Sequence, residues 1–400
     1  MSIQTAVLVD AIRTGSGKGK PGGSLSGVHP ADLLAQVLTA LLERNGLEST
    51  QIDDVIAGCV SQAGEQTGNI GRTALLAAGF DESVPGMTID RQCGSSQQAA
   101  TFAASGVASG LYDVVIAAGV ESMSRVPLGS AAGGQHPLGS TGIRARYPEG
   151  LVNQGVSAEL IATKWGFDRE QLDAFSAESH RRAAAAWAAG DFANEVVQIA
   201  VTGADGAHGH FATDETVRPM TTAEGLAGLG PAFRTDALAA RFPELGWSIT
   251  AGNSSPLTDA ASAALIMSES RALELGLTPR ARFHSFAVVG DDPLYMLTGP
   301  IPATHKVLER SGLSFGDLDA YEVNEAFASV PLAWAHEFDA DPAKLNPRGG
   351  AIALGHAVGA SGTRLLTTML NHLEATGGRY GLQVMCEGGG TANATIIERL

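Results

Sequence analysis

Apolar positions along this chain keep two rhythms. Short runs such as Ala6–Val9 and Val55–Cys59 are continuously apolar and bounded by polar residues or glycine, which predicts buried strands. Between 156 and 190 the rhythm changes. Ala158, Ile161, Ala162 and Trp165, then Leu172, Phe175, Ala183 and Trp187, recur at helical spacing, with Gly166 breaking the run. Residues 126–150 are rich in Gly, Pro and Ser and show no period, which predicts a long loop. Residues 201–225 are polar and turn-rich.

One pattern occurs twice. Residues 41–56 read LLERNGLESTQIDDVI and residues 307–322 read VLERSGLSFGDLDAYE. In both, a helix ends on Leu-Glu-Arg, a glycine stops it (Gly46, Gly312), and an apolar-Asp pair opens a strand (Ile52-Asp53, Leu318-Asp319). The copies stay in step. DRQCGSSQQAATFAASG at 90–106 and GGAIALGHAVGASGTRLLTTML at 349–370 each predict a turn followed by a helix. DVVIAAGVES at 113–122 and GLQVMCEGGG at 381–390 each predict an apolar strand. Alternating strands and helices imply an α/β fold with two pseudo-symmetric halves of about 120 residues each. The expected organisation is an N-terminal half over 1–124, completed by about 249–270, an inserted cover over 125–248, and a C-terminal half over 271–400.

Composition narrows the function. In 400 residues the formal charge is −16, which argues against nucleic acid or an anionic membrane as partner. A phosphate-bearing ligand would need a local basic patch, for which Arg144, Arg146, Arg234 and Arg241 are candidates. Three sparse cysteines fit a reducing compartment. No apolar run approaches a membrane span, and the N-terminus lacks a signal region, so a cytoplasmic location is expected.

The chemistry concentrates on few residues. Cys93 sits between a predicted strand and a predicted helix, where the helix N-terminus favours thiolate. Context leaves it open between a reactive thiol and a small buried side chain. Cys59, ending an apolar strand without a polar partner in sequence, reads as the latter. His356, flanked by Gly355 and Gly359, lies in the loop equivalent to that of Cys93, and a Cys–His pair is the usual way to activate a thiol. Cys386, before Glu387 and Gly388–Gly390, adds an acid/base suited to proton transfer at carbon, and the glycines offer N–H groups to an oxyanion. Asn324 could orient a water or a histidine, or cap a helix. Gly15–Lys20 fails the spacing of a phosphate loop. His208 and His210 lie in a polar loop without further zinc-spaced ligands, so no metal is expected.

With these residues in hand, the chain resembles the thiolase family over essentially its whole length. The motifs run in the family's order: AIRT, CGSSQQA, GVESMSRVP, DETVRPMTTAEGLAGL, ITAGNSSPLTDAASA, NEAFA, NPRGGAIALGHAVGASG and CEGGG. The resemblance implies that Cys93 carries the acyl group, His356 takes its proton, and Cys386 moves a proton to or from acetyl-CoA. It implies two oxyanion sites, one from Asn324 through a water with His356, the other from the N–H groups of Cys93 and Gly388. Ser255 would touch pantetheine, and Phe327 and Met296 would line the acyl pocket. Ala326, Gln154 and Arg234 complete the implied substrate contacts. Coenzyme A and acyl-CoA would be substrates, with no permanently bound cofactor, and the assembly a homodimer or homotetramer with 126–150 as a tetramer contact.

Three departures stand out. Ala357 replaces the proline of the family's GHP, Thr391-Ala392 follow CEGGG, and Asn153-Gln154-Gly155 stands where short-chain biosynthetic members look like His-Met-Gly. The last points to a degradative enzyme for longer or bulkier 3-ketoacyl-CoA, most like thiolases of sterol side-chain breakdown. A biosynthetic acetoacetyl-CoA thiolase and a non-catalytic lipid carrier are the alternatives. A β-ketoacyl synthase or hydroxymethylglutaryl-CoA synthase would not need Cys386.

Overall fold

The computed structural model describes residues 4–203 and 206–400. Its strands are β1 (Ala6–Arg13), β2 (Gly17–Lys18), β3 (Asp54–Gly58), β4 (Gly86–Ile89), β5 (Val114–Ser122), β6 (Ile199–Thr202), β7 (His208–Phe211), β8 (Thr258–Ser268), β9 (Ala281–Gly290), β10 (Ala320–Val323), β11 (Tyr380–Glu387) and β12 (Thr391–Arg399). The main sheet has the order β10-β11-β12-β9-β1-β8-β5-β3-β4, with β2 joined to β8.

This order is its own mirror about the β9–β1 seam. On one side β1 pairs antiparallel with β8, β8 antiparallel with β5, and β5 parallel with β3. On the other, β9 pairs antiparallel with β12, β12 antiparallel with β11, and β11 parallel with β10. Even the outer strand has a counterpart: β3 pairs parallel with β4, and Tyr321 bridges in parallel to Leu345. At the seam Val7 faces Arg282 and Leu8 faces Ala281, antiparallel as a two-fold relation demands. The sequence repeat is thus a structural repeat, with β8 from beyond the insertion completing the N-terminal half.

Strands buried on both faces explain the continuous apolar runs. Val7, Val9 and Ile12 of β1 face a core shared with the helix Pro30–Asn45. Ala6, Leu8 and Ala11 face a second core shared with the helices Ser95–Ala108 and Ser361–Thr376. A third core lies on the far face of the C-terminal strands, under Trp334 and Val307. The layers therefore run helix, sheet, paired inner helices, sheet, helix. The inner helices approach closely because Gly362 has no side chain. A Cβ there would stand 2.1 Å from the backbone nitrogen of Gln97.

The first strand runs to Arg13, beyond the apolar stretch that predicts it. Its charges are neutralised in place: Asp10 pairs with Arg44 and Arg280, and Arg13 with Glu195 and Asp214. In the insertion, helices Gln154–Trp165 and Arg169–Ala189 occupy the helical-period region. Asn153 and Asp168 cap their starts, and Gly166 and Gly190 end them in the left-handed conformation. The aperiodic segment 126–150 contains a 3₁₀ turn, Ser130–Ala132, and a short α-helix, Thr141–Arg146, capped by Ser140. His208 and His210 stand on β7 of a two-stranded ribbon with β6, not in the loop expected from their polar surroundings; cross-strand pairing supplies order that hydrophobicity does not. In the polar segment 201–225, Ala204 and Asp205 lie outside the described residues. Among the described residues no helix is long and apolar enough to cross a membrane.

Candidate active site

Cys93 occupies the tight turn between β4 and the helix Ser95–Ala108. The first helical serine builds this turn: Ser95 Oγ donates to the Gln92 carbonyl at 2.6 Å and accepts from the Arg91 N–H at 2.9 Å. Gln92 is thereby held at φ 49°, a left-handed conformation costly for a residue with a side chain. Cys93 is 5% exposed. Burial pushes its thiol well above the ordinary range, and Cys386 and Glu387 push it further. Backbone hydrogen bonding opposes them and loses. Burial thus works against the thiolate expected from the helix terminus.

The equivalent loop of the other half carries His356. Gly355 takes φ 84°, and the His356 N–H donates to Thr258 Oγ1 at 3.0 Å. On the ring, Nδ1 lies 2.6 Å from Ser361 Oγ, whose single hydroxyl proton goes to the Ala357 carbonyl at 2.9 Å. Nδ1 must then be the donor, which leaves Nε2 as an unprotonated acceptor. Asn324 agrees: its Nδ2 faces Nε2 at 3.4 Å, and two donors would not face each other. Burial, aided by the Arg364 charge, pushes His356 down to about 3, so the imidazole rests neutral.

Asn324 follows β10 and is not a helix cap, since the next helix starts at Ser329. Its backbone N–H donates to the Val384 carbonyl at 3.0 Å, which ties it to β11. Its amide also hydrogen-bonds Cys386, which favours that thiolate slightly; burial and Glu387 prevail and the Cys386 thiol is pushed up to about 12. Asn324 Oδ1 is buried and takes no hydrogen bond from any described residue. Cys386 packs among Met296, Ala326 and Phe327. Gly388 opens the turn between β11 and β12, and a side chain there would meet Gln92 Oε1 at 2.9 Å and Gln154 Nε2 at 3.1 Å.

The two loops open onto a pocket of about 160 Å³, with Asn324 and Cys386 behind its wall. Cys93 and His356 lie in its wall with Ser255, Ala326 and Phe327, and Gln154 and Phe233 reach it from the insertion. Phe233 meets Phe327 edge-on at 5.8 Å. Met296 stays beneath, at φ 51° beside Cys386. The four arginines are not in the wall. Arg144 and Arg146 are exposed on the short helix of the 126–150 segment, Arg234 sits 3.8 Å from Asp236, and Arg241 donates to the Gly150 carbonyl. A larger cavity of about 430 Å³, beside Phe175 and Leu332, contains none of the cysteines or His356.

Sequence reasoning missed several members. Gln92 lines the pocket, Ser361 fixes the imidazole, and Glu387 lies buried between Cys386 and Gly388. Ser361 carried a signal: it opens the helix equivalent to the one that Ser95 opens. Cys59 is also less isolated than its surroundings suggest, 4.0 Å from Glu121. Glu121 in turn accepts from the backbones of Val60, Ser61 and Gly359 and from Gln66, which ties the loop after β3 to the loop that carries His356.

Comparison with known proteins agrees with this architecture. The family profile for the thiolase N-terminal domain matches residues 6–270, and that for the thiolase C-terminal domain matches 277–399. A steroid 3-ketoacyl-CoA thiolase, FadA6 of Mycobacterium tuberculosis, is 48% identical, with 99% of this chain and 94% of that protein covered. A 3-ketoacyl-CoA thiolase of Cronobacter sakazakii is 44% identical over 100% of both. The crystal structure of the Bacillus anthracis acetyl-CoA acetyltransferase superposes with a TM-score of 0.88 at 36% identity, covering 100% of both chains. By its repeated α/β halves, by the loops those halves bring together and by matches that span it from end to end, this chain belongs to the thiolase family.

Proposed function

We infer that this chain is a 3-ketoacyl-CoA thiolase, cleaving 3-ketoacyl-CoA with coenzyme A to acetyl-CoA and a shortened acyl-CoA in β-oxidation. The observation that carries this reading is that Cys93 and His356, on loops from different halves, line one pocket, with Asn324 on the His356 ring and Cys386 on Asn324 behind its wall.

The site supports the following steps. His356 Nε2 takes the Cys93 proton as the sulfur attacks the 3-keto carbon. The C2–C3 bond breaks, its electron pair passes to C2 of the departing acetyl-CoA, and the Cys386 thiol protonates that carbon. Coenzyme A then gives its proton to the Cys386 thiolate and attacks the acyl-Cys93 thioester. Release of acyl-CoA returns the His356 proton to Cys93. A thiol pushed up to about 12 suits Cys386, because it stays protonated until the carbanion forms. The N–H groups of Cys93 and Gly388 would bind one oxyanion, and Asn324, through a water, with His356 the other. Ser255 would contact pantetheine, and Arg234 and Arg241 remain our candidates for the phosphates.

Gln154 and Phe233 reach the pocket from the insertion, and Asn153-Gln154-Gly155 in place of His-Met-Gly supports a substrate other than acetoacetyl-CoA. We place that substrate among longer or sterol-type 3-ketoacyl-CoA esters, in keeping with the name of the Mycobacterium tuberculosis relative. A cytoplasmic homotetramer is the assembly we propose. Thiolysis rates over acetoacetyl-CoA, long-chain and sterol-type 3-ketoacyl-CoA test the reading. The acyl group is expected on the Cys93 peptide by mass spectrometry, and a clear preference for acetoacetyl-CoA would sink the degradative assignment.

A further inference from the structure

Glu387 is a buried acid that the steps above leave unused. It ends β11 between Cys386 and Gly388 and has no exposed surface. One carboxyl oxygen accepts from Thr391 Oγ1 at 2.7 Å. The other, Oε1, is buried and accepts from no described residue. A Cβ on Gly94 would stand 1.9 Å from Oε1, so the carboxyl lies against the backbone of the residue that follows Cys93. Glu387 therefore follows Cys386 in the strand and lies against the backbone next to Cys93, where its charge bears on both thiols.

A carboxylate with one hydrogen bond and no ion-pair partner is expensive to bury, and protonation relieves the cost. Burial pushes Glu387 up to about 7, against the Thr391 hydrogen bond and the Arg91 charge, with Asp90 adding to it. When ionised it opposes charge on its neighbours, and it raises both Cys93 and Cys386. Glu121 adds to the same effect at Cys93. The charged or titratable groups that bear on the acid are thus Arg91, Asp90 and the two thiols.

We propose that Glu387 is a positioning residue for charge: it serves as a neutral acid beside the Cys93–Cys386 pair, and its ionisation holds the thiols protonated and slows acylation. The effect on acylation rests on Cys93 being the nucleophile. The effect on the thiol itself does not, so the two are measured separately.

Alkylation of Cys93 by iodoacetamide, followed on its peptide by mass spectrometry, reads thiolate formation without any turnover. In the wild type the rate should climb with pH and then flatten across a break near 7, where Glu387 gains its charge. E387Q keeps an oxygen for Thr391 and is neutral at every pH. Its rate relative to wild type should grow about tenfold from below that break to above it, the equivalent of a one-unit change in the thiol. Thiolysis should show the same growing ratio. Superimposable profiles, or a ratio that does not change with pH, overturn the proposal. A wild-type alkylation profile with one step and no break near 7 also overturns it, even if the variant does not fold. If alkylation behaves as expected while C93A retains thiolysis, the assignment of the nucleophile fails and the role of Glu387 at the thiol stands.

Stability gives an independent readout. A carboxyl raised in the folded state contributes stability that is complete below its ordinary range and is lost as pH rises through about 7. The melting temperature of E387Q should therefore gain on that of wild type between about pH 5 and about pH 9. A gap independent of pH would contradict a buried, titrating Glu387.

Discussion

Two serines at equivalent places do different work. Ser95 and Ser361 each open an inner helix of one half, and each turns its hydroxyl back on the preceding loop. In the N-terminal half the hydroxyl binds main chain, at Arg91 and Gln92, and holds the turn that presents Cys93. In the C-terminal half the loop is longer, and the hydroxyl, while donating to the Ala357 carbonyl, also reaches the His356 ring. A repeated scaffold thus fixes a backbone on one side and a tautomer on the other. The difference teaches that pseudo-symmetry specifies where the loops meet, while loop length decides what the shared serine can touch.

The sharpest break of this comparison is removal of the groups the serines present. Cys93→Ala should lower thiolysis by about 10⁴-fold or more, because a nucleophile cannot be replaced by binding alone; steady-state rates with any accepted 3-ketoacyl-CoA decide it. Ser361→Ala comes next. It leaves Nδ1–H without its partner and frees the other tautomer, so kcat should fall about 10- to 100-fold with KM little changed. A loss confined to KM would deny the orienting role. Gly362→Ala tests the seam that brings the helices together. With the Gln97 nitrogen 2.1 Å away, the added methyl should cost about 1–3 kcal/mol in denaturant unfolding. The smallest effect belongs to Ser95→Ala, about 1 kcal/mol from two lost hydrogen bonds whose backbone partners can turn to solvent. If Ser95→Ala instead abolished activity in a folded protein, the turn would be doing chemistry and the contrast between the serines would fail.

Local signals made much of this legible. Gly46 and Gly312 end helices in the left-handed conformation, as their positions after apolar-basic turns predict, because glycine alone adopts it without a steric cost. Cys93 and His356 were placed in equivalent loops by the repeat, and both line the same pocket. Less legible was anything set by desolvation. The helix terminus at Cys93 points to a thiolate, yet burial decides otherwise; Cys59 shows no partner in sequence, yet Glu121 lies beside it from another strand. The arginines fared as charge counting does: a basic residue in a loop is free to face away, and these four stay out of the pocket wall.

By itself the sequence determined the thiolase-type α/β fold with its two repeated halves and singled out the loops that carry Cys93 and His356, because helix stops, apolar period and motif order are local and repeat. Only the tertiary structure decided what those groups are at rest. Whether a thiol is neutral, which imidazole nitrogen holds the proton and whether Glu387 can carry charge depend on how much water is removed and which distant groups replace it. Those neighbours come from opposite ends of the chain, and only folding brings them within reach.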